Sequence, residues 1–440
     1  MSPLDPNQQL LDRSRAAVWH PCTQMKQHET LPLLPIVRGE GAWLYDAAGK
    51  PYLDAVSSWW VNLFGHTHPR IAEAIAAQMR TLEHVMLAGF THPAVVELSE
   101  RLAQVAPPGL GHCFYASDGA SATEIALKMA FHYWRNLGHP KKTNFLSLEH
   151  SYHGETLGAL AVTDVPLFRD VYAPLLRHHQ PVASPDPRLT HPRLSPEEAA
   201  RRAAGALEQR LARDHDSIAA LILEPLVQGA AGMAMYHTDY LKAARKLCEQ
   251  YEVLLIADEI MTGFGRTGTL FACEQAGITP DFLCLSKGIT GGFLPLSCVM
   301  TSDRVFAAFY DDALSRGFLH SHSYTGNALA CRAALTVLDI FRDDAVLQRN
   351  RRLAAQLSGA LTPLVGHPKV KDFRRLGMIW AFEVDSTHEQ FSRWCFREGL
   401  ARGLLLRPIG HTLYLMPPYI LSSAEIEHLA QGVIAIVERA

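Results

Sequence analysis

Short apolar runs recur along the chain, each without a polar alternation: "HCFYAS", "TNFLSLEH", "AALILEPL", "VLLIADEI" and "DFLCLSK". Continuous runs of this length predict strands buried on both faces, the habit of a parallel sheet. Between them, apolar positions fall at helical spacing, as in residues 121–135 and 238–251. Strand–helix alternation predicts an α/β fold, a mostly parallel sheet flanked by helices. The stretch "PVASPDPRLTHPRLSPEE", from Pro181, is proline-rich and reads as a surface excursion. It closes on a helix start, with Ser195 as N-cap, Pro196 at the first helical position and Glu198 completing a capping box.

The two ends of the chain read differently. "GAWLYDAAGKPYLDAV" predicts a hairpin that turns at "AAGK". After the helix "GNALACRAALTVLDIF", the runs "GMIWAFEV" and "TLYLMPPYI" predict strands of a smaller α+β unit. A small domain built from residues 1–61 and 331–440 is therefore expected beside a large domain spanning 62–330. A chain of 440 residues has the length for more than one core.

Composition narrows the function classes. Hydrophobic residues make 48% and charged residues 19%, the usual balance of a soluble globular protein. The net charge of -3 comes from 41 basic and 44 acidic residues, with no block of like charge. Nothing in it points to nucleic acid or an anionic membrane as partner. No apolar run approaches the roughly 20 residues of a membrane span, and "MSPLDPNQQLLDRSRAAVWH" lacks a signal-peptide core. Eight cysteines without a CxxC pair fit reduced thiols in a cytoplasm, and no Cys/His spacing suggests a metal site.

Ligands of an open α/β sheet sit beyond the carboxyl ends of its strands. Here "VLLIA" ends in Asp258-Glu259 and "DFLCLS" in Lys287. "NFLSL" runs on to Tyr152-His153, "ALIL" to Glu224-Pro225, and "HCFYAS" to Asp118-Gly119-Ala120, which opens a helix. Taken singly, Asp258 is a helix N-cap, Tyr152 is core packing and Lys287 snorkels to solvent. Taken together, a lysine and a carboxylate at that depth need partners.

The match "GFGRTG" to G-x-G-x-x-G is a decoy. Asp258-Glu259-Ile260 intervenes after the strand, and "TGTLFACE" is a poor helix start, so it reads as a glycine-rich loop. The Gly119-Ala120 helix start is the better anion site, with a plain N-cap by Asp118 as the alternative. A lysine between an apolar run and glycines loses hydration, which makes its amine available to form a Schiff base with an aldehyde. Pyridoxal 5'-phosphate has the matching needs: a helix N-terminus for its phosphate, an aromatic ring to stack on, and a carboxylate at its pyridine nitrogen. Gly119-Ala120, Tyr152, Asp258 and Lys287 supply these.

The segments "YHGET", "ADEIMTGFGRTG", "LSKGITGG" and "HSYTGN" resemble the class III aminotransferases, a branch of the fold-type I pyridoxal-phosphate enzymes. The resemblance runs from about Trp19 to the C-terminus. "VWHPCTQM", "SSWW" and "RPIGHTLYLMPPYI" resemble the branch that aminates 8-amino-7-oxononanoate in biotin synthesis, with S-adenosylmethionine as donor. That resemblance implies that Lys287 bonds the cofactor and shuttles the proton, Asp258 pairs with the pyridine nitrogen and Tyr152 stacks on the ring. It implies that Gly119 and Ala120 donate to the phosphate, and that His322 and Ser323 complete that site from the other subunit of a homodimer. Trp59, Tyr152, Ser321, Tyr414 and Cys22 are implied in substrate binding, with Arg407 holding the substrate carboxylate. An Arg fork suits a carboxylate.

Four positions depart from the family pattern. Cys22 stands where a tyrosine is common, Asp118 and Ala120 replace hydroxyl residues of the phosphate loop, and Ile409 stands where a larger aromatic occurs. Two other readings stay open: a broader ω-aminotransferase acting with pyruvate, and a catalytically silent protein of the same fold serving as a binding module.

Overall fold

The apolar runs become a six-stranded sheet in the computed structural model, which describes residues 5–31, 33–177 and 181–440. The first four residues of the N-terminal stretch lie outside that description. In space the strands run Leu110–Ala116, Ser297–Ser302, Phe282–Leu285, Leu254–Asp258, Ile218–Leu223 and Asn144–Leu146. The last four pair in parallel, while Ser297–Ser302 is antiparallel to both neighbours. The exception has a local cause. A parallel return needs a crossover of a dozen or more residues. The link after Leu285 is shorter, and it reverses through the turn Lys287–Thr290 with Gly291 and Gly292 at φ of 64° and 88°.

All residues of Ile218–Leu223, Leu254–Asp258 and Phe282–Leu285 are buried, as continuous apolar runs require. The helix Gly119–Asn136 lays Ile125, Ala126, Met129, Ala130 and Tyr133 into the same core. Each such Leu or Ile contributes ~1.5–3 kcal/mol relative to exposure. Parallel register sets the strand ends level: Leu223 pairs with Ala257, and Asp258 with Cys284. Glu224, Asp258 and Lys287 therefore leave the sheet at one edge.

The chain divides into two compact units. The larger comprises residues 70–351 and 375–379; the smaller holds the described residues up to Pro69 together with 352–374 and 380–440. The helix Ala328–Asp343 runs unbroken through residue 330, where the sequence reading set a domain boundary. Within the smaller unit, Trp43–Asp46 and Pro51–Asp54 form the expected hairpin. Asp46 caps its turn by accepting from the N–H groups of Ala48 (3.0 Å) and Lys50 (2.9 Å). Pro51–Asp54 also pairs in parallel with Leu404–Leu405, and Ile379–Val384 pairs with Thr412–Leu415.

Two segments depart from expectation. The stretch from Pro181 is a surface excursion only in its second part, where residues 192, 193 and 195–198 are exposed. Val182 bridges Leu148, and Ser184 and Asp186 are buried. Their polar groups are satisfied, by Gln228 Oε1 for Ser184 Oγ (2.6 Å) and by Arg188 for Asp186 (2.9 Å), which removes the cost of burial. The capping box at Ser195 and Glu198 forms as read. The second surprise is "SSWW". Ser57, Ser58, Trp59 and Trp60 have φ of 51°, 46°, 69° and 74°, so four successive residues, none of them glycine, form one left-handed turn. For L-residues that conformation costs ~1–2 kcal/mol each and normally occurs singly.

Candidate active site

Asp258, the last residue of its strand, is 4% exposed. Its Oδ1 accepts from Ile260 N (3.1 Å), and its Oδ2 from His153 Nδ1 (2.7 Å). His153 is itself buried, and its Nε2 has no hydrogen-bond partner among the described residues. The pair thus shares one short charge-assisted bond with water excluded from it. Glu224, level with Asp258 one strand away, takes Tyr152 N (3.0 Å) on one oxygen and Gly229 N (2.8 Å) on the other. Burial pushes its carboxyl up to about 7, against the pull of nearby His153 and the two N–H groups.

Lys287 follows the next strand and sits at φ 45°. Desolvation lowers its ammonium from the ordinary lysine value, opposed by the Asp258 and Glu224 carboxylates. A lysine lowered in this way exposes a neutral amine at lower pH than a solvated one. Tyr152 is half-buried beside Glu224. Its backbone is held by Glu224, its hydroxyl donates to Glu155 Oε1 (3.0 Å), and its ring meets Phe168 edge-on.

The helix Gly119–Asn136 starts beside this group. Asp118 is turned inward as its N-cap, Oδ1 accepting from Ser121 N (2.9 Å) and Oδ2 from Ser121 Oγ (2.8 Å). In that orientation both carboxylate oxygens are used on the helix. The N–H groups of Gly119 and Ala120 have no acceptor inside the helix. Two close approaches explain the small residues. A Cβ on Gly119 would meet Ile260 at 3.0 Å, and a Cβ on Gly154 would strike Ala120 at 2.6 Å. His322 Nε2 lies 3.0 Å from Ser117 Oγ of the same chain, two residues before Gly119. Ser323 is exposed, its carbonyl meeting His84 Nε2 (2.8 Å), and Ser321 is exposed nearby in sequence.

The remaining candidates belong to the smaller unit. Trp60 is 7% exposed, with its Nε1 donating to Tyr414 Oη (3.1 Å), so core packing describes it well. Trp59 is 42% exposed, and the Arg407 guanidinium covers its ring at 4.3 Å. Among the described residues Arg407 has no carboxylate partner, so it is not spent on a surface ion pair. Cys22 is exposed, at φ 53°. The decoy loop 263–268 is packed solid: Arg266 is 1% exposed, and a Cβ on Gly377 would lie 2.3 Å from the Thr267 backbone. It leaves no room for a dinucleotide.

Sequence reasoning met His153 and Glu224 at strand ends without giving them a task. Their adjacency to Tyr152 and Pro225 was visible; the bonds to Asp258 and to the Tyr152 backbone were not.

Residues 24–437 match the family described as "Aminotransferase class-III". The chain belongs to the class III aminotransferases. Among curated members, it is 46% identical over 429 residues to the adenosylmethionine-8-amino-7-oxononanoate aminotransferase of Helicobacter pylori, covering 96% of each chain. The enzyme of that name from Methanocaldococcus jannaschii has a crystal structure that superposes with a TM-score of 0.92 at 33% identity, over 98% of this chain and 99% of that one. An amine transaminase from an uncultivated Pseudomonas species, in a PLP-bound form, superposes with a TM-score of 0.89 at 32% identity, over 96% and 98% of the two chains. Class III aminotransferases work with pyridoxal 5'-phosphate, and the larger unit has the donor set that group requires. It has a buried carboxylate, a desolvated lysine, a half-buried tyrosine and bare N–H groups at a helix start.

Proposed function

We propose that this chain aminates 8-amino-7-oxononanoate to 7,8-diaminononanoate in biotin synthesis, with S-adenosylmethionine as amino donor. The observation that carries the substrate is Arg407: a cation laid on Trp59, with no carboxylate partner among the described residues, in a largely apolar segment. A long keto acid ending in a carboxylate meets those demands. The curated relatives with this name support the same reading.

In this reading Gly119 and Ala120 would hold the phosphate of pyridoxal 5'-phosphate, Tyr152 would lie on its ring, Asp258 would pair with its pyridine nitrogen and Lys287 would bond its aldehyde carbon. When bound, the cofactor draws off electron density from the substrate carbon that loses its proton. The chain does the rest. Asp258 supplies fixed negative charge, and His153 holds that carboxylate in place through its Nδ1. Lys287 takes the proton at its Nζ and returns it at the position where the new C–H bond forms. The desolvation that lowers its ammonium keeps the amine available as a base. Cys22, Ser321 and Tyr414 are assigned to the substrate pocket, Cys22 giving the donor's base no ring to stack on. His322 and Ser323 are assigned to the phosphate of a second subunit, which makes the active species a homodimer, and its place is assigned to the cytoplasm. Full activity in a monomer, seen by sedimentation at assay concentration, would refute that part.

The deciding experiment separates the two half-reactions spectroscopically. S-adenosylmethionine should convert the loaded enzyme to its aminated form, and 8-amino-7-oxononanoate should convert it back. Arg407→Ala should weaken the second step by roughly 2–5 kcal/mol, as for truncating one partner of a desolvated charge pair, and the first step less. A wild-type enzyme that ignores S-adenosylmethionine but reacts with lysine or an ω-amine would move the reading to a broader ω-aminotransferase.

A further inference from the structure

The left-handed turn at residues 57–60 is held by contacts that have no other evident task. Its backbone closes through Trp60 N to Val56 O (2.9 Å) and Val61 N to Ser57 O (3.0 Å). Ser57 Oγ donates to Met416 O (2.7 Å), and Ser58 Oγ to Asp54 Oδ2 (2.7 Å). Asp54 is fully buried, and its carboxylate also meets His66 Nε2 (3.1 Å) and Val56 N (3.4 Å). His66 is steadied in turn by Asn62 (3.3 Å). Unfavourable backbone persists only where its surroundings over-determine it, and here they do so from both ends.

The hand of the turn decides where a tryptophan goes. Consecutive side chains around a helical turn stand about 100° apart. Trp60 is fixed in the core on Tyr414. With that ring anchored, the left-handed turn brings Trp59 out beneath the Arg407 guanidinium. A right-handed turn would send it out roughly 160° away. A guanidinium stacked on a ring has its plane set and its N–H edge left for a ligand.

We propose that Asp54 is a positioning residue for keto-acid recognition: through Ser58 it locks the left-handed turn that sets Trp59 under Arg407. This rests on the reading of Arg407 as partner of the keto-acid carboxylate, and it adds that the guanidinium's aim depends on a carboxylate and a hydroxyl that never touch substrate.

Two substitutions at one position test it. Ser58→Ala and Ser58→Gly remove the same hydroxyl, but only glycine adopts φ near +46° without steric cost. In the holoenzyme, Ser58→Ala should raise KM for 8-amino-7-oxononanoate on the order of tenfold, as a misaimed binding group does, with the donor half-reaction unchanged. Its Trp59 emission, taken as the difference from the matching Trp59→Phe variant, should shift to the red as the stack opens. Ser58→Gly should restore both readouts towards wild type, and Asp54→Ala should behave as Ser58→Ala. Equal loss in the Ala and Gly variants would mean that the hydroxyl itself contacts substrate and would overturn the proposal. So would a lower melting temperature in Ser58→Ala with KM and emission unmoved, the mark of a purely structural bond. Arg407→Ala with an intact keto-acid step would overturn the underlying reading, and the functional half of this one with it.

Discussion

Replacing Asp258 with asparagine changes one atom, and the local geometry sets what that change costs. The carboxylate uses both oxygens, one on Ile260 N and one on His153 Nδ1. In Asp258→Asn the amide oxygen can keep Ile260, which leaves the NH2 facing His153. Nδ1 must then become an acceptor, and the imidazole proton moves to Nε2. That atom is buried without a partner among the described residues, so the new N–H is stranded at about 1–3 kcal/mol. In the proposed arrangement the fixed charge beside the pyridine nitrogen is lost as well, worth about 10²–10³ in kcat by analogy with other preorganised electrostatic contacts. The expected variant folds, binds pyridoxal phosphate with a changed absorption spectrum, and turns over about 10²–10³ more slowly. Stopped-flow absorbance of each half-reaction measures it. His153→Asn, which retains a donor near the old Nδ1, should cost much less than His153→Ala, and a double-mutant cycle between positions 153 and 258 should show coupling of about 0.5–3 kcal/mol. A kcat for Asp258→Asn within tenfold of wild type, at full cofactor content, would refute the reasoning.

Lys287→Ala should abolish turnover, and borohydride reduction of the wild type followed by peptide mapping should label Lys287; label on another lysine would remove it from the mechanism. The pH dependence of stability follows from two buried carboxyls, Glu224 and Glu259, both pushed up to about 7 chiefly by desolvation. A carboxyl raised in the folded state holds a proton that the unfolded chain has released, so stability falls as pH rises from about 4.5 to about 7 and levels off above. Urea titrations across that range should show the decline, and a flat profile would contradict it.

Much of the chemistry was legible because strand ends in a parallel sheet are simple to locate. Lys287, Asp258 and Gly119 each follow an apolar run, and parallel register does the rest. His153 and Glu224 were equally visible, but their tasks depend on which neighbours the strands bring level, and spacing along the chain does not encode that. The "SSWW" turn carried no signal at all. No Gly, Asn or Asp occupies it, and its hand is imposed by Asp54, Met416 and Tyr414, residues up to 359 positions away. The first part of the stretch from Pro181 departed from expectation for a related reason. Prolines mark a chain that cannot join a helix or a central strand, and here such a chain was packed inward once Gln228 and Arg188 satisfied its polar groups.

The smaller unit draws on both ends of the chain, and this bears on how the protein is made. Trp43 Nε1 donates to Glu425 Oε1 (2.6 Å) across 382 residues of sequence. At 5–20 residues per second, a ribosome takes roughly 20–80 s to deliver the second partner after the first. Throughout that interval the hairpin at residues 43–54 exposes the strand edge that Leu404–Leu405 later covers. A nascent chain stalled or truncated before residue 400 would carry that edge indefinitely, as a template for pairing with other chains. Expression losses in C-terminal truncations should therefore show up as aggregation during synthesis, relieved by slowing initiation or adding a holdase, before any defect in catalysis can be measured.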